Sequence, residues 1–375
     1  MNEQMLAGMR EAIARLQHDG PVAATGKIQQ TLRDLMAAGA WAGNPTTRRD
    51  GAPADLIERA GDTVADWLAK AGRLAPPQGP VAAPRTGAHA APAAPGQFLT
   101  GSFTNEAGTR AYKLYIPTVY ADQALPLVVM LHGCGQDPDD FAAGTRLNAI
   151  AEEQPCLVLY PAASGSGCWN WFNAGDQQRD QGEPSIIAGM TREVMATYRV
   201  DPARIYCAGM SAGGAMAAIM GVTYPDLFAA IGVHSGLPYA AATDLVSGMA
   251  AMRGGGAAPA SADLHGLPII VFHGDRDSTV HPRNSEHIMT QSIATGRAAQ
   301  VNTGQAGAGH AYTQRVHEGA DGTVMAEHWL VHGAGHAWSG GSDRGRFTDD
   351  RGPDASREMM RFFAAQSRLA AAQRA

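Results

Sequence analysis

The stretch that decides the fold is residues 204–216, RIYCAGMSAGGAM. An apolar run ends in a G-x-S-x-G turn made by Gly209, Ser211 and Gly213, and small residues that suit a helix follow. A serine in this setting sits on a sharp strand-to-helix elbow with its hydroxyl exposed above a sheet. The helix amides beyond it favour negative charge at the same place. We therefore interpret Ser211 as a nucleophile; the alternative is a structural serine in a glycine-rich turn.

Apolar runs and helical patterns alternate on both sides of the elbow. Strands are predicted at 125–131, 156–160, 229–233, 268–272, 310–317 and 324–331, and a hairpin around residues 105–108. Helices are predicted at 140–153, 184–198, 212–221, 282–295 and 355–368, whereas the low-complexity residues 240–264 suggest a mobile surface segment. Such alternation predicts an α/β fold with a mostly parallel central sheet flanked by helices.

The chain divides by composition into four parts. Residues 1–72 read as a small helical N-terminal extension, and the Ala/Pro-rich residues 73–96 read as a linker. We predict that residues 97–368 form the catalytic domain and that 369–375 form a tail. The N-terminal helices either pack on themselves or the main domain, or act as an arm that binds a partner.

Charge and cysteine content narrow the class of protein. A net charge of −6 gives no reason to expect nucleic acid as a partner. No apolar run approaches the roughly 18 residues of a transmembrane segment.

The start, Met1–Ala7, lacks the features of a secretory signal, so we expect a cytoplasmic protein. Its four cysteines are then expected to be free thiols, with Cys156 and Cys207 buried. No side-chain cluster has metal-ligand spacing, so we expect no metal and no cofactor.

A serine nucleophile needs a base and an orienting carboxylate, which in this architecture follow in the order Ser, Asp, His. Strand 268–272 runs into HGDRDSTV, where Asp275 and Asp277 compete. We favour Asp277 because it lies farther past the strand end, and we expect Asp275 to structure the turn.

The base is expected after the last strand, which runs into HGAGHAWSGG at residues 332–341. We favour His336, because glycines at 335, 340 and 341 let its loop fold over the sheet edge. His332 is still at the strand end and is expected to be packed or on the surface. For His234 and the remaining histidines we expect no catalytic role.

The oxyanion of an acyl-transfer intermediate needs preorganised donors. One is the amide of Ala212, directly after the nucleophile. The second is expected from the loop LHGCGQ at residues 131–136, where the amide of Cys134 is the natural candidate. Three separated segments thus agree in order and in position relative to the strands, which indicates a hydrolase.

Taken together, LHGCGQ (131–136), CWNWF (168–172), GMSAGGAM (209–216), His273-Gly274 with Asp277, and GHAWSGG (335–341) resemble the polyhydroxybutyrate depolymerase family of esterases. That family includes related feruloyl and acetylxylan esterases. The resemblance covers about residues 98–367. It implies an α/β-hydrolase fold and ester hydrolysis through an acyl-enzyme, on poly(3-hydroxybutyrate) or its short-chain 3-hydroxyacyl oligomers. It assigns Ser211, Asp277 and His336 as nucleophile, acid and base, and the Cys134 and Ala212 amides as oxyanion hole.

The resemblance also raises alternatives on location. Many family members are secreted, so an extracellular location is the alternative to the cytoplasm. Secreted relatives often carry disulfides near the active site, which for an exported protein would imply a Cys134–Cys168 bridge. We see no polymer-binding module after residue 368, and residues 1–72 could contact a granule surface in its place.

Three tryptophans, Trp169, Trp171 and Trp338, are candidates for substrate-binding walls because they lie on loops near the catalytic edge. The alternative is that they anchor these loops to the core. With no obvious basic cluster, a neutral ester or polyester fits better than a charged substrate. Competing functions are a feruloyl or acetylxylan esterase, a peptidase, and a non-catalytic granule-associated protein.

Overall fold

The computed structural model describes residues 96–165, 167–255, 264, 266–293 and 299–368. The N-terminal extension 1–72, all of the linker except Gly96, and the tail 369–375 lie outside the described residues. Their predicted roles therefore stay predictions.

The described chain is built on a ten-stranded sheet with the order β1-β2-β4-β3-β5-β6-β7-β10-β9-β8. Its strands are β1 Gln97–Asn105, β2 Gly108–Ile116, β3 Leu125–Leu131, β4 Leu157–Pro161, β5 Val200–Met210, β6 Ala230–His234, β7 Ile269–Gly274, β8 Gln300–Gln305, β9 Ala311–Glu318 and β10 Val324–Val331. The six central strands, from β4 to β10, pair in parallel, and antiparallel pairs flank them on both sides. A separate two-residue pairing joins β11 Trp338–Ser339 to β12 Thr348–Asp349.

Helices cover both faces of the sheet. They are α1 Pro138–Thr145, α2 Leu147–Glu153, α3 Gly182–Thr197, α4 Ala212–Thr223, α5 Leu245–Gly254, α6 Arg283–Ser292 and α7 Ala355–Ala364, with a 3-10 turn at Ala174–Gln177. Alternate residues of β3 point to opposite faces: Leu127 and Val129 pack with α3, α4 and α6, whereas Val128 and Met130 pack with α1, α2 and α7. Because both faces of the sheet are buried, the sequences of the central strands are continuous apolar runs.

The predicted α/β architecture is confirmed, with three local differences. The helix expected at 140–153 is two helices, broken at Arg146, whose backbone is left-handed with φ 56° and whose guanidinium donates to Gly340 O at 2.8 Å. Within the low-complexity segment, Asp244 and Ser247 form a capping box that starts α5. Strand β8 was not expected, because its sequence QVNTGQ is mostly polar and lies at the sheet edge.

None of the helices in the described ranges has the length and apolar character needed to cross a membrane.

Candidate active site

The loops that carry the predicted acid, base and nucleophile leave the sheet at one edge. Strands β5, β6, β7 and β10 are parallel neighbours in that order. Met210 at the end of β5 pairs with His234, which pairs with Phe272, and Gly274 pairs with Val331. Since parallel strands end at the same edge, the loops after residues 210, 274 and 331 are neighbours.

Ser211 stands at the turn between β5 and α4 in a strained conformation, with φ 55° and ψ −119°. Its amide donates to His234 O at 2.9 Å. A side chain at Gly213 would overlap the backbone carbonyls of Leu131 and His132, and one at Gly209 would overlap the carbonyl of Gly213. Both glycines of the motif are therefore required by close backbone approach.

Asp277 and His336 are in direct contact: Nδ1 of His336 lies 2.7 Å from Oδ2 of Asp277. The other oxygen of Asp277 accepts from the amides of Thr279 and Val280 at 2.9 and 2.8 Å. Because a carboxylate only accepts, His336 carries its proton on Nδ1, and its Nε2 is left as an acceptor.

Burial alone would raise the pKa of Asp277, but hydrogen bonds from His273 and His336 outweigh it and hold the pKa well below its usual range. The carboxylate is therefore ionised although its side chain is fully buried. An ionised Asp277 can stabilise a positive charge that forms on the imidazole of His336.

The competing carboxylate, Asp275, has a different partner. Its Oδ2 lies 3.0 Å from Nδ1 of His332, and its Oδ1 accepts from the amide of Gly333 at 2.7 Å. The pair is more exposed, with His332 at 40% side-chain exposure, and it ties the loop after β7 to the loop after β10.

The loop 131–136 packs against the serine elbow. The position of a Cβ on Gly133 would lie 3.5 Å from Ser211 Cβ. The amide of Ala212 begins α4 and so has no acceptor within the helix. Among the backbone hydrogen bonds that join described residues of different elements, none is donated by this amide or by that of Cys134.

Two polar side chains that sequence reasoning missed fix the loop 131–136. Gln136 accepts from the amide of Gly133 at 3.0 Å and donates to Asp140 at 2.8 Å. His132 is 2% exposed, and its Nε2 accepts from the amide of Ala163 at 3.1 Å. Burial lowers the pKa of His132, so it stays a neutral anchor. The only sequence signal was that both residues lie within three positions of Gly133.

The expectation of four free thiols is wrong for two of them. Cys134 and Cys168 form a disulfide that joins the loop after β3 to the loop after β4. Cys156 and Cys207 are free and buried, as expected, and burial raises the pKa of the Cys156 thiol to about 12.

The three tryptophans predicted to contact substrate are buried, at 1% exposure for Trp169, 5% for Trp171 and 1% for Trp338. The indole of Trp169 donates to His132 O at 2.9 Å, and that of Trp338 donates to Ser356 Oγ at 3.0 Å. A substrate cannot reach rings that are covered in this way. Their burial corrects the prediction and favours the alternative, that they anchor the loops around the site.

The structure brings Asp277 and His336 together and places Ser211 at the same edge. The hydroxyl of Ser211 does not cap the helix α4 that follows it. Catalytic hydrogen bonds are often long in unliganded enzymes and tighten with substrate. In the described ranges, no group of three or more His, Cys, Asp or Glu side chains could hold a metal ion.

Comparison with known proteins identifies the fold. An acetylxylan esterase from Aspergillus awamori superposes with a TM-score of 0.54 at 17% identity, over 71% of this chain and 99% of that one. The predicted α/β-hydrolase fold is thereby confirmed.

Sequence comparison finds esterases. A poly(3-hydroxyalkanoate) depolymerase C from Paucimonas lemoignei is 33% identical over 62% of this chain and 59% of its own length. A feruloyl esterase B from Neurospora crassa is 32% identical over 38% of this chain and 49% of its own length. The chain thus spans about half to three fifths of these relatives. The model of the family described as esterase PHB depolymerase matches residues 110–315, more than half of the chain. The protein therefore belongs to the esterase PHB depolymerase family.

Proposed function

We propose that the protein is a serine carboxylic-ester hydrolase that works through an acyl-enzyme. Ser211 is the nucleophile, His336 the general base and Asp277 the orienting acid. The observation that carries the proposal is the 2.7 Å contact of an ionised, buried Asp277 with His336, at the edge where a strained serine elbow also stands.

The proposed reaction begins with attack of Ser211 Oγ on the ester carbonyl carbon, while Nε2 of His336 takes the hydroxyl proton. Asp277 stabilises the imidazolium that forms. The carbonyl oxygen becomes an oxyanion held by the amides of Cys134 and Ala212, each worth roughly 100- to 1,000-fold in rate. When the intermediate collapses, the ester C–O bond breaks and His336 returns the proton to the leaving alcohol. Water, deprotonated by the same imidazole, then releases the acid and frees Ser211.

For the substrate we propose a neutral ester, namely poly(3-hydroxybutyrate) or its short-chain 3-hydroxyacyl oligomers. The name of the Paucimonas relative, a poly(3-hydroxyalkanoate) depolymerase, supports this class. The second candidate is a feruloyl or acetylxylan ester, supported by the names of the Neurospora relative and of the Aspergillus awamori structure.

Turnover of p-nitrophenyl butyrate by Ser211→Ala tests the proposed activity. We expect Ser211→Ala to fall to background, while Ser292→Ala, at the far end of α6, keeps wild-type turnover. Unchanged turnover in Ser211→Ala would overturn the assignment. Product analysis on hydroxybutyrate oligomers, amorphous polymer, methyl ferulate and acetylated xylan then separates the two substrate classes.

The disulfide bears on where the protein works. Disulfides persist in oxidising compartments and are rare in the cytosol. The Cys134–Cys168 bridge therefore supports the extracellular alternative over the cytoplasm. Contact of residues 1–72 with a granule surface is a further part of the proposal, to be tested by co-sedimentation of the full chain with amorphous polymer.

A further inference from the structure

His234 ends β6, between the strand that leads to the nucleophile and the strand that leads to the acid. Its backbone oxygen accepts from the amide of Ser211 at 2.9 Å. Its side-chain Nε2 lies 2.9 Å from the amide nitrogen of Ser339, three residues beyond His336. One residue thus holds both the serine elbow and the loop that carries the proposed base.

The chemistry of the side-chain contact fixes the state of the ring. A backbone N–H can only donate, so Nε2 of His234 must be the unprotonated acceptor. The proton is then on Nδ1, which faces the hydroxyl of Ser235 at 3.3 Å. Burial, together with the neighbouring His273 and His336, lowers the pKa of His234 to about 3. The ring is therefore neutral, and the acceptor is present wherever the protein works near neutral pH.

Packing holds the ring in place. The imidazole stacks on Trp338 with centroids 5.0 Å apart and on Phe272 at 5.8 Å. With 1% exposure and both nitrogens facing polar partners, it is closed to substrate and cannot serve as a base. The remaining role of the His234 side chain is to hold the amide of Ser339, and thereby the loop of residues 336–339.

We propose that His234 is a positioning residue that sets the distance between Ser211 and His336. This inference rests on the proposed function, since it assigns a role within the same catalytic pair. Without the acceptor, the amide of Ser339 is buried and unpaired, and the loop relaxes away from the elbow. A displacement of about 1 Å between reacting groups can cost about 100-fold in rate.

Two variants separate positioning from core packing. His234→Phe keeps an aromatic ring between Trp338 and Phe272 but removes the acceptor. His234→Gln loses the ring but places an amide oxygen near the position of Nε2. We expect His234→Phe to lower kcat by about 10- to 100-fold with KM within about twofold. We expect His234→Gln to recover most of that loss even if its Tm is lower.

Wild-type kcat in His234→Phe would overturn the proposal. So would a kcat in His234→Gln as low as that of His234→Phe, because packing rather than the acceptor would then decide the rate. If His234→Phe does not fold, His234→Gln decides alone, since near-wild-type kcat supports the acceptor and a large loss contradicts it.

The rate of covalent labelling by a fluorophosphonate probe serves as a second readout, because it follows the reactivity of Ser211 whatever ester is the natural substrate. We expect it to fall in His234→Phe and to recover in His234→Gln. Labelling that persists in Ser211→Ala would instead contradict the proposed nucleophile, so the two failures are distinguishable.

Discussion

Ser211 combines a positive φ of 55° with a ψ of −119°, a backbone conformation that only glycine adopts readily. The strained residue is the one that stands at the sheet edge between β5 and α4. Ser211→Gly should therefore be more stable than Ser211→Ala, although both should be inactive. Strain of this kind costs about 1–3 kcal/mol, and the greater freedom of glycine in the unfolded chain offsets part of it, which leaves about 1 kcal/mol. Urea unfolding of the two variants measures the difference, and equal midpoints would show that the elbow is unstrained.

Asp277 offers a second test at a single residue. Asp277→Asn keeps an oxygen for the amides of Thr279 and Val280, so the loop should fold as before. The new amide group, however, cannot hold His336 in the required tautomer while also stabilising its cation. We expect kcat to fall by about 1,000- to 10,000-fold.

Asp275→Asn is the matched control, because it removes the partner charge of His332 instead. It should affect Tm more than kcat. An equal loss of kcat in Asp277→Asn and Asp275→Asn would contradict the choice of Asp277 over Asp275 as the acid.

The carboxylate farther past the strand end, Asp277, is the one that lies against His336, and its role as the acid stays a prediction. Burial of the tryptophans could not be predicted, because whether an indole on a loop faces solvent or the core depends on the packing of distant elements. Trp338, for example, meets His234 and Phe141, which lie on other strands and helices.

At the scale of elements, backbone atoms set how closely α4 can approach β3. A Cβ on Gly213 would overlap the carbonyl oxygen of Leu131, and a backbone atom cannot swing away. Gly213→Ala must therefore push the helix off the strand, and we expect a loss of stability of at least about 2 kcal/mol, together with lost activity.

Gly335→Ala is the control for stability, since a Cβ there meets nothing within 4 Å. Its Tm should match the wild type. A Tm in Gly213→Ala as high as that of Gly335→Ala would contradict the tight packing of the elbow.

Elements with buried apolar faces were predictable, and the others were not. The apolar run of β3 predicts a buried strand, and the helical spacing of apolar residues in α7 predicts a helix. Both patterns are visible because a buried face must be apolar. Strand β8 is mostly exposed and polar, so its pairing with β9 depends on main-chain hydrogen bonds that its side chains do not indicate. The helix α5 is rich in small residues, and only its cap at Asp244 marks it.

For the whole molecule, the disulfide closes a loop between residues separated by 34 positions. In the chain-entropy description, a bridge of this span stabilises the folded state by about 3–4 kcal/mol. We expect Cys134→Ser/Cys168→Ser to lower the urea midpoint accordingly, whereas reduction should not further destabilise that variant. Thiol titration of the denatured protein should find the two free cysteines before reduction and all four after it. Four thiols before reduction would show that the bridge does not form.

The contact between Asp277 and His336 joins two loops that the ribosome makes at different times. The rest of the base loop depends on still later residues, since Trp338 binds Ser356 and Gly340 lies against Asp354. A nascent chain that has already exposed Ser211 therefore still lacks His336 and the later residues that hold the loop of His336. The contact between Asp277 and His336 can therefore form only when translation of the α/β domain is nearly finished.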